Sequence, residues 1–133
     1  PQLPPPIKLS LGELIQYVEA SSSVDKELIM HYANEMKLDI KENLNKSFFK
    51  LSGGMKQKML IAISLAKKSN IIIYDEPTAN LDPKARDDFY RLLKQNEEDK
   101  ILLFVTHRLD EVKEIVNRQI YMDLGKIMSD ERV

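Results

Sequence analysis

The sequence predicts an α/β fold: a helical piece followed by part of a mostly parallel sheet with flanking helices. Two observations carry this. Ile71–Tyr74 and Ile101–Val105 are unbroken apolar runs of strand length, the pattern of parallel strands covered on both faces. Stretches with helical apolar spacing separate and follow them, which implies right-handed crossovers within one sheet. Before Leu51 the apolar residues keep helical spacing only. The expected division is therefore a helical piece over 1–50 and an α/β piece over 51–133.

Pro1 to Pro6 cannot start a helix and predicts an extended lead-in. Leu11, Leu14, Ile15 and Val18 follow the i, i+3, i+4, i+7 pattern of a short amphipathic helix, broken at Ser21–Ser23. A second helix is expected from about Val24 to Met36, with Ser22 and Asp25 spaced as a capping box and Leu28, Tyr32 and Met36 facing the core. Residues 37–50 are polar and predict irregular chain ending in Phe48-Phe49. A helix over about Gly53–Lys68 places Met59, Ala62, Ile63 and Ala66 on one face. Asp82-Pro83 has the form of an N-cap with proline at the first helical position, and the helix behind it carries Phe89, Leu92 and Leu93. Thr106-His107 lead into a helix bearing Leu109, Val112 and Val116. Ile120–Met122 and Ile127-Met128 flank a turn at Gly125, predicting a terminal hairpin.

A length of 133 residues suits one domain with a real core. The 20 basic and 21 acidic residues nearly cancel, so no overall field recruits nucleic acid or an anionic membrane, and no nucleic-acid partner is expected. The absence of cysteine excludes disulfides and thiol chemistry. No apolar run approaches the ~20 residues that span a bilayer, so membrane association would have to come through a partner.

Two segments point to chemistry. Ser52-Gly53-Gly54 opens a helix, where free backbone N–H groups and the dipole favour an anion and glycine permits close approach of a phosphate. The same tripeptide also suits a plain N-cap beside a turn. Asp75-Glu76 ends the first strand, and ligands of parallel sheets bind at the carboxyl ends of strands. One carboxylate there can hold Mg²⁺ and the other polarise a water, although a solvated acidic loop would read alike. His107 follows the second strand and falls on the same edge of the sheet, within reach of a phosphate or merely at the surface.

The order of these features resembles the ABC ATPase family over nearly the whole chain. Leu51–Lys58 resembles its signature motif and Ile71–Glu76 its Walker B strand. Pro77–Asp82 is similar to the stretch leading into the D-loop, His107 to the switch histidine, and Gln2 to the Q-loop glutamine. The resemblance implies a P-loop NTPase-like fold and a subunit that hydrolyses ATP with Mg²⁺ to power a membrane transporter. It implies that Asp75 supports the metal, with Gln2 coupling metal to partner. Glu76 would be the general base or water-positioning residue, and His107 would sense the γ-phosphate. Ser52, Gly53 and Gly54 would contact ATP held by a second ATPase subunit, identical or different, and Asp82 would face that subunit. Leu11–Met36 would dock onto a transmembrane subunit, leaving the protein cytoplasmic and peripheral on the membrane. Met55 stands where the commonest signature has glutamine, and Lys58 where arginine is more usual, which keeps a charge but loses a bidentate fork.

A phosphate loop of the form G-x-x-x-x-G-K-[ST] is not found around Gly12, Gly53, Gly54 or Gly125. In the family it precedes the Q-loop. The expectation is thus a C-terminal portion of a nucleotide-binding subunit, a poor binder of MgATP by itself. The alternatives are a lobe of a soluble ABC machine for DNA repair, chromosome condensation or translation, and a non-catalytic scaffold lobe. The repair and condensation members are flanked by long coiled coils, and no sustained heptads precede Leu51.

Overall fold

The computed structural model describes residues 8–96 and 99–133; Gln2 lies outside them. Helix α1 spans Leu11–Ser22. Ser10 caps it: its Oγ accepts from the Glu13 N–H at 3.2 Å, and the Glu13 carboxylate accepts from the Ser10 N–H at 2.7 Å. Such a reciprocal box is worth about 1 kcal/mol. The capping box therefore lies at Ser10–Glu13 rather than Ser22–Asp25. Ser21 and Ser22 remain helical, and the stop comes at Ser23, whose φ of 52° is left-handed. Helix α2, Lys26–Glu35, begins later than expected because Asp25 itself caps it, its carboxylate accepting from the Glu27 N–H at 2.9 Å. Its buried face is Ile29, Tyr32 and Ala33, with Met36 buried just beyond and Leu28 only partly covered.

Residues 37–50 are more ordered than their polarity suggests. Asp39 caps the short helix α3, Ile40–Asn43, and Phe48–Lys50 form a 3₁₀ turn. Backbone bonds from Leu11 N–H to the Lys46 carbonyl (2.9 Å), Gly12 N–H to Leu44 (3.0 Å) and Phe48 N–H to Leu9 (2.9 Å) pin this segment to the start of α1. The order comes from long-range backbone pairing, which periodicity does not reveal.

Helix α4, Gly53–Ala66, packs against α2 and buries Met59, Ile61, Ala62, Leu65 and Ala66. Strand β1, Ile71–Asp75, pairs in parallel with β2, Ile101–Val105, matching Ile71 with Ile101 and Asp75 with Val105. Between them runs α5, Pro83–Gln95, with Asp82 as N-cap and Pro83 at its start, burying Ala85, Phe89, Leu92 and Leu93. Tyr74 joins the layers: its ring meets Phe89 edge-on at 5.4 Å and stacks on Phe104 at 5.4 Å, and its hydroxyl lies 3.1 Å from Ser64 Oγ on α4. The expectation of strands covered on both faces is not met. Ile72 and Tyr74 are buried against α4 and α5, whereas Ile71 and Ile73 alternate to the other side and are 60% and 65% exposed. Among the described residues the helices cover one face only.

After β2 the helix is a single turn, α6, Leu109–Val112; Val112 is buried, Leu109 is exposed, and Val116 lies beyond it. Glu111 anchors this turn. Its carboxylate accepts from Thr78 Oγ1 at 2.8 Å, Arg86 Nη1 at 3.0 Å, Arg108 Nη1 at 3.1 Å and the Tyr90 hydroxyl at 3.2 Å. Burial alone would raise its pKa, but these donors, Thr78 foremost, leave it below the usual glutamate range. Burial also pushes the Tyr90 phenol up to about 12. Strands β3, Arg118–Asp123, and β4, Lys126–Arg132, form the expected antiparallel hairpin, with Gly125 at φ 75° in its turn. No helix among the described residues is long and apolar enough to cross a membrane.

Two predictions follow from this packing. Ile72→Ala should cost about 2–4 kcal/mol as a core truncation, and Ile73→Ala within about 0.5 kcal/mol; equal losses in urea titrations would contradict the one-sided burial. The lowered pKa of Glu111 stabilises the fold above the unfolded glutamate value of about 4.3, and that contribution is lost as pH falls through the folded value. Glu111→Gln should therefore flatten the acid limb of a stability-versus-pH curve, which urea midpoints below about pH 5 would read.

Candidate functional site

The site forms where β1 and β2 end. Because Asp75 and Val105 are paired, the residues that follow each strand emerge side by side. Glu76 extends the ladder by one bond, its N–H donating to the Val105 carbonyl at 2.8 Å. Its φ is 46°, a left-handed conformation in a residue with a Cβ, which costs on the order of 1–2 kcal/mol. That backbone turns the carboxylate toward His107. Glu76 Oε1 lies 2.7 Å from His107 Nδ1 and accepts from the His107 N–H at 3.1 Å, and Oε2 accepts from Thr106 Oγ1 at 3.4 Å. The His107 side-chain hydrogen bond, ahead of the opposing effect of burial, holds the Glu76 pKa below the usual glutamate range. A carboxylate only accepts, so a neutral imidazole in this pose carries its proton on Nδ1.

Asp75 is exposed at the strand end, beside a shallow open groove of ≈ 190 Å³ that Gln57, Leu60 and Pro77 also line. Among the described residues no group of three or more His, Cys, Asp or Glu side chains is placed to hold a metal ion. Mg²⁺ often takes only one or two carboxylates and completes its shell with water and substrate phosphates. An exposed Asp75 fits that limited role.

Ser52, Gly53 and Gly54 stand apart from the pair. Ser52 Oγ caps α4 by accepting from the Met55 N–H at 3.1 Å. The glycines abut the turn at Asn80: a Cβ on Gly54 would lie 3.1 Å from the Asn80 carbonyl oxygen, and one on Gly53 3.6 Å from the Asn80 side chain. Close approach to a neighbouring turn thus accounts for Gly54 without any ligand. The Asp82 carboxylate accepts from the Ala85 N–H at 2.9 Å as the cap of α5. Among the described residues neither Ser52 nor Asp82 joins the Glu76–His107 hydrogen-bond set. The stretch 77–82 links the two regions, running from Glu76 to the Asn80 turn against which α4 starts.

Sequence reasoning missed Thr78, Arg86, Tyr90, Arg108 and Glu111. The one available signal was Arg108 and Glu111 at i, i+3, a spacing that brings side chains together on a helix. Thr78 and Tyr90 carry no charge and offered none.

A family model for the ABC transporter matches residues 8–79, more than half the chain. The energy-coupling factor transporter ATP-binding protein EcfA2 of Mycoplasmoides gallisepticum is 43% identical over 104 residues, covering 77% of this chain and 32% of that protein. The protein of the same name from Staphylococcus aureus (strain USA300) is 30% identical over a 145-residue alignment, covering 93% of this chain and 51% of the relative. The chain thus spans about a third of the length of one of these curated relatives and about half of the other. Among solved structures, an ATP-binding subunit of an ABC transporter superposes with a TM-score of 0.82 at 21% identity, over 100% of this chain and 57% of that one. A dimeric bacterial ABC transporter cassette superposes with a TM-score of 0.76 at 27% identity, over 96% of this chain and 58% of the other. The fold is that of ABC ATPase cassettes, and the chain belongs to the ABC transporter family.

Proposed function

We propose that this chain is part of an ATP-hydrolysing subunit that powers an ABC transporter of the energy-coupling factor type. The observation that carries the reading is the Glu76–His107 hydrogen bond, made at the carboxyl edge of the parallel strands through a strained Glu76 backbone. Non-glycine residues held left-handed concentrate at functional sites. The likeness to ATP-binding transporter subunits supports the substrate class.

In this reading Glu76 orients the water that attacks the γ-phosphorus. The lowered pKa keeps its carboxylate ionised at neutral pH and makes it a weaker base, which favours holding and polarising water over complete proton abstraction. His107 steadies Glu76 through Nδ1–H, and its other ring nitrogen would donate to the γ-phosphate in the imidazolium form, in which both ring nitrogens carry a proton. Asp75 holds Mg²⁺, whose charge would offset that on the phosphate oxygens. From the family resemblance, Gln2 would couple the metal to the partner. Ser52, Gly53 and Gly54 present the α4 N-terminus to ATP on a second ATPase subunit, and Asp82 faces that subunit. A transmembrane subunit receives the helical piece, placing the protein on the cytoplasmic face of the membrane.

Two experiments test this in a transporter subunit carrying the sequence. Glu76→Gln should lower ATP turnover about 10²–10⁴-fold while leaving ATP-driven subunit pairing intact; turnover within a few-fold of the parent would sink the assignment. Gly53→Ala should change stability by no more than about 0.5 kcal/mol yet weaken ATP-driven pairing, whereas Gly54→Ala should cost about 1 kcal/mol by crowding the Asn80 carbonyl. Unchanged pairing in Gly53→Ala, seen by sedimentation with ATP, would leave the glycines a purely structural role.

A further inference from the structure

We propose that Glu111 is a positioning residue for the Glu76–His107 pair, its carboxylate clamping together the two loops that carry them. Thr78, 2% exposed, lies two residues beyond Glu76 and donates to Glu111 Oε2 at 2.8 Å. Arg108 directly follows His107 and donates to Glu111 Oε1 at 3.1 Å. The Arg108 N–H also donates to Thr106 Oγ1 at 3.0 Å, and that hydroxyl donates to Glu76 Oε2 at 3.4 Å. The chain of contacts therefore closes on itself, from Glu76 through His107, Arg108 and Glu111 to Thr78 and back along the backbone. Arg86 extends the clamp to the next turn: its Nη1 donates to Glu111 Oε1 at 3.0 Å and its Nε to the Leu81 carbonyl at 3.1 Å.

The donor set suits a carboxylate. Two guanidinium groups, a threonine hydroxyl and a tyrosine hydroxyl all donate to one side chain, and a carboxylate offers two oxygens with four lone-pair sites and no competing donor. Glutamine would turn an N–H₂ toward one pair of these donors. The Glu111 side chain is only 21% exposed, so water cannot readily replace what it holds. An ion-pair hub that served the fold alone would need no connection to Glu76 or His107, yet two of its four donors sit within two residues of that pair.

The test reads the His107 ring, not overall stability. In long-range ¹H–¹⁵N spectra recorded at alkaline pH, the parent protein should show His107 as the Nδ1–H tautomer. Glu111→Gln, and Arg108→Gln as the milder variant that releases only the His107 side, should both convert it to a mixture of tautomers. Glu114→Gln, which breaks the exposed Lys94–Glu114 pair nearby, should leave the signature unchanged. An unaltered Nδ1–H signature in Arg108→Gln, or in folded Glu111→Gln, overturns the proposal, as does an equal change in Glu114→Gln. Should Glu111→Gln fail to fold, Arg108→Gln decides alone. The catalytic meaning rests on the site reading above, but the measurement needs neither ATP nor a partner. A lost tautomer with normal turnover in Glu76→Gln would refute that reading alone, and the reverse pattern would refute only the role of Glu111.

Discussion

The parallel register of two short strands sets everything else at this site. Asp75 lies opposite Val105, so the first residues past each strand, Glu76 and Thr106-His107, leave the sheet together. A slip of one residue would reverse which side chains face the helices and expose Ile72 and Tyr74 in place of Ile71 and Ile73. The register is held from beneath by Tyr74, whose ring packs on Phe89 and Phe104 and whose hydroxyl meets Ser64. Core packing and site geometry are thus one arrangement, and the Glu76–His107 distance depends on it.

Several residues serve the fold by the same atoms that a ligand would use. Ser52 spends its oxygen on the Met55 N–H, and Asp82 spends a carboxylate oxygen on Ala85. Gly54 is accounted for by the Asn80 carbonyl. Such residues do not distinguish a structural from a binding role on geometry alone, because a helix cap and an anion site both present the same free N–H groups. Glu76 differs. Its left-handed backbone serves no helix or tight hairpin, and its carboxylate closes on the neighbouring loop.

Much of the fold was legible because periodicity and punctuation agree. The strand runs, the Asp82-Pro83 start and the Gly125 turn all appear where the residues place them. Boundaries shifted where a cap three positions further on competed, as Asp25 did with Ser22. What was not legible depends on distant partners. The pinning of residues 44–48 to α1 uses backbone groups that every sequence possesses. A continuous apolar run does not reveal which of its faces the described helices cover. The juxtaposition of Glu76 and His107 was readable from the strand ends they share, but the convergence of Thr78, Arg86 and Tyr90 on Glu111 needed the packing of α5 first.

The backbone of Glu76 constrains which side chains that position can hold. With φ at 46°, glycine would relax there and valine or isoleucine would be forced out. Selection for thermal robustness alone would drift toward glycine at 76, and the resulting chain would be the sturdier for having lost its carboxylate. Under the proposed role a glutamate here trades durability for chemistry, and stabilised versions of this protein obtained without an activity screen should be checked first at this residue.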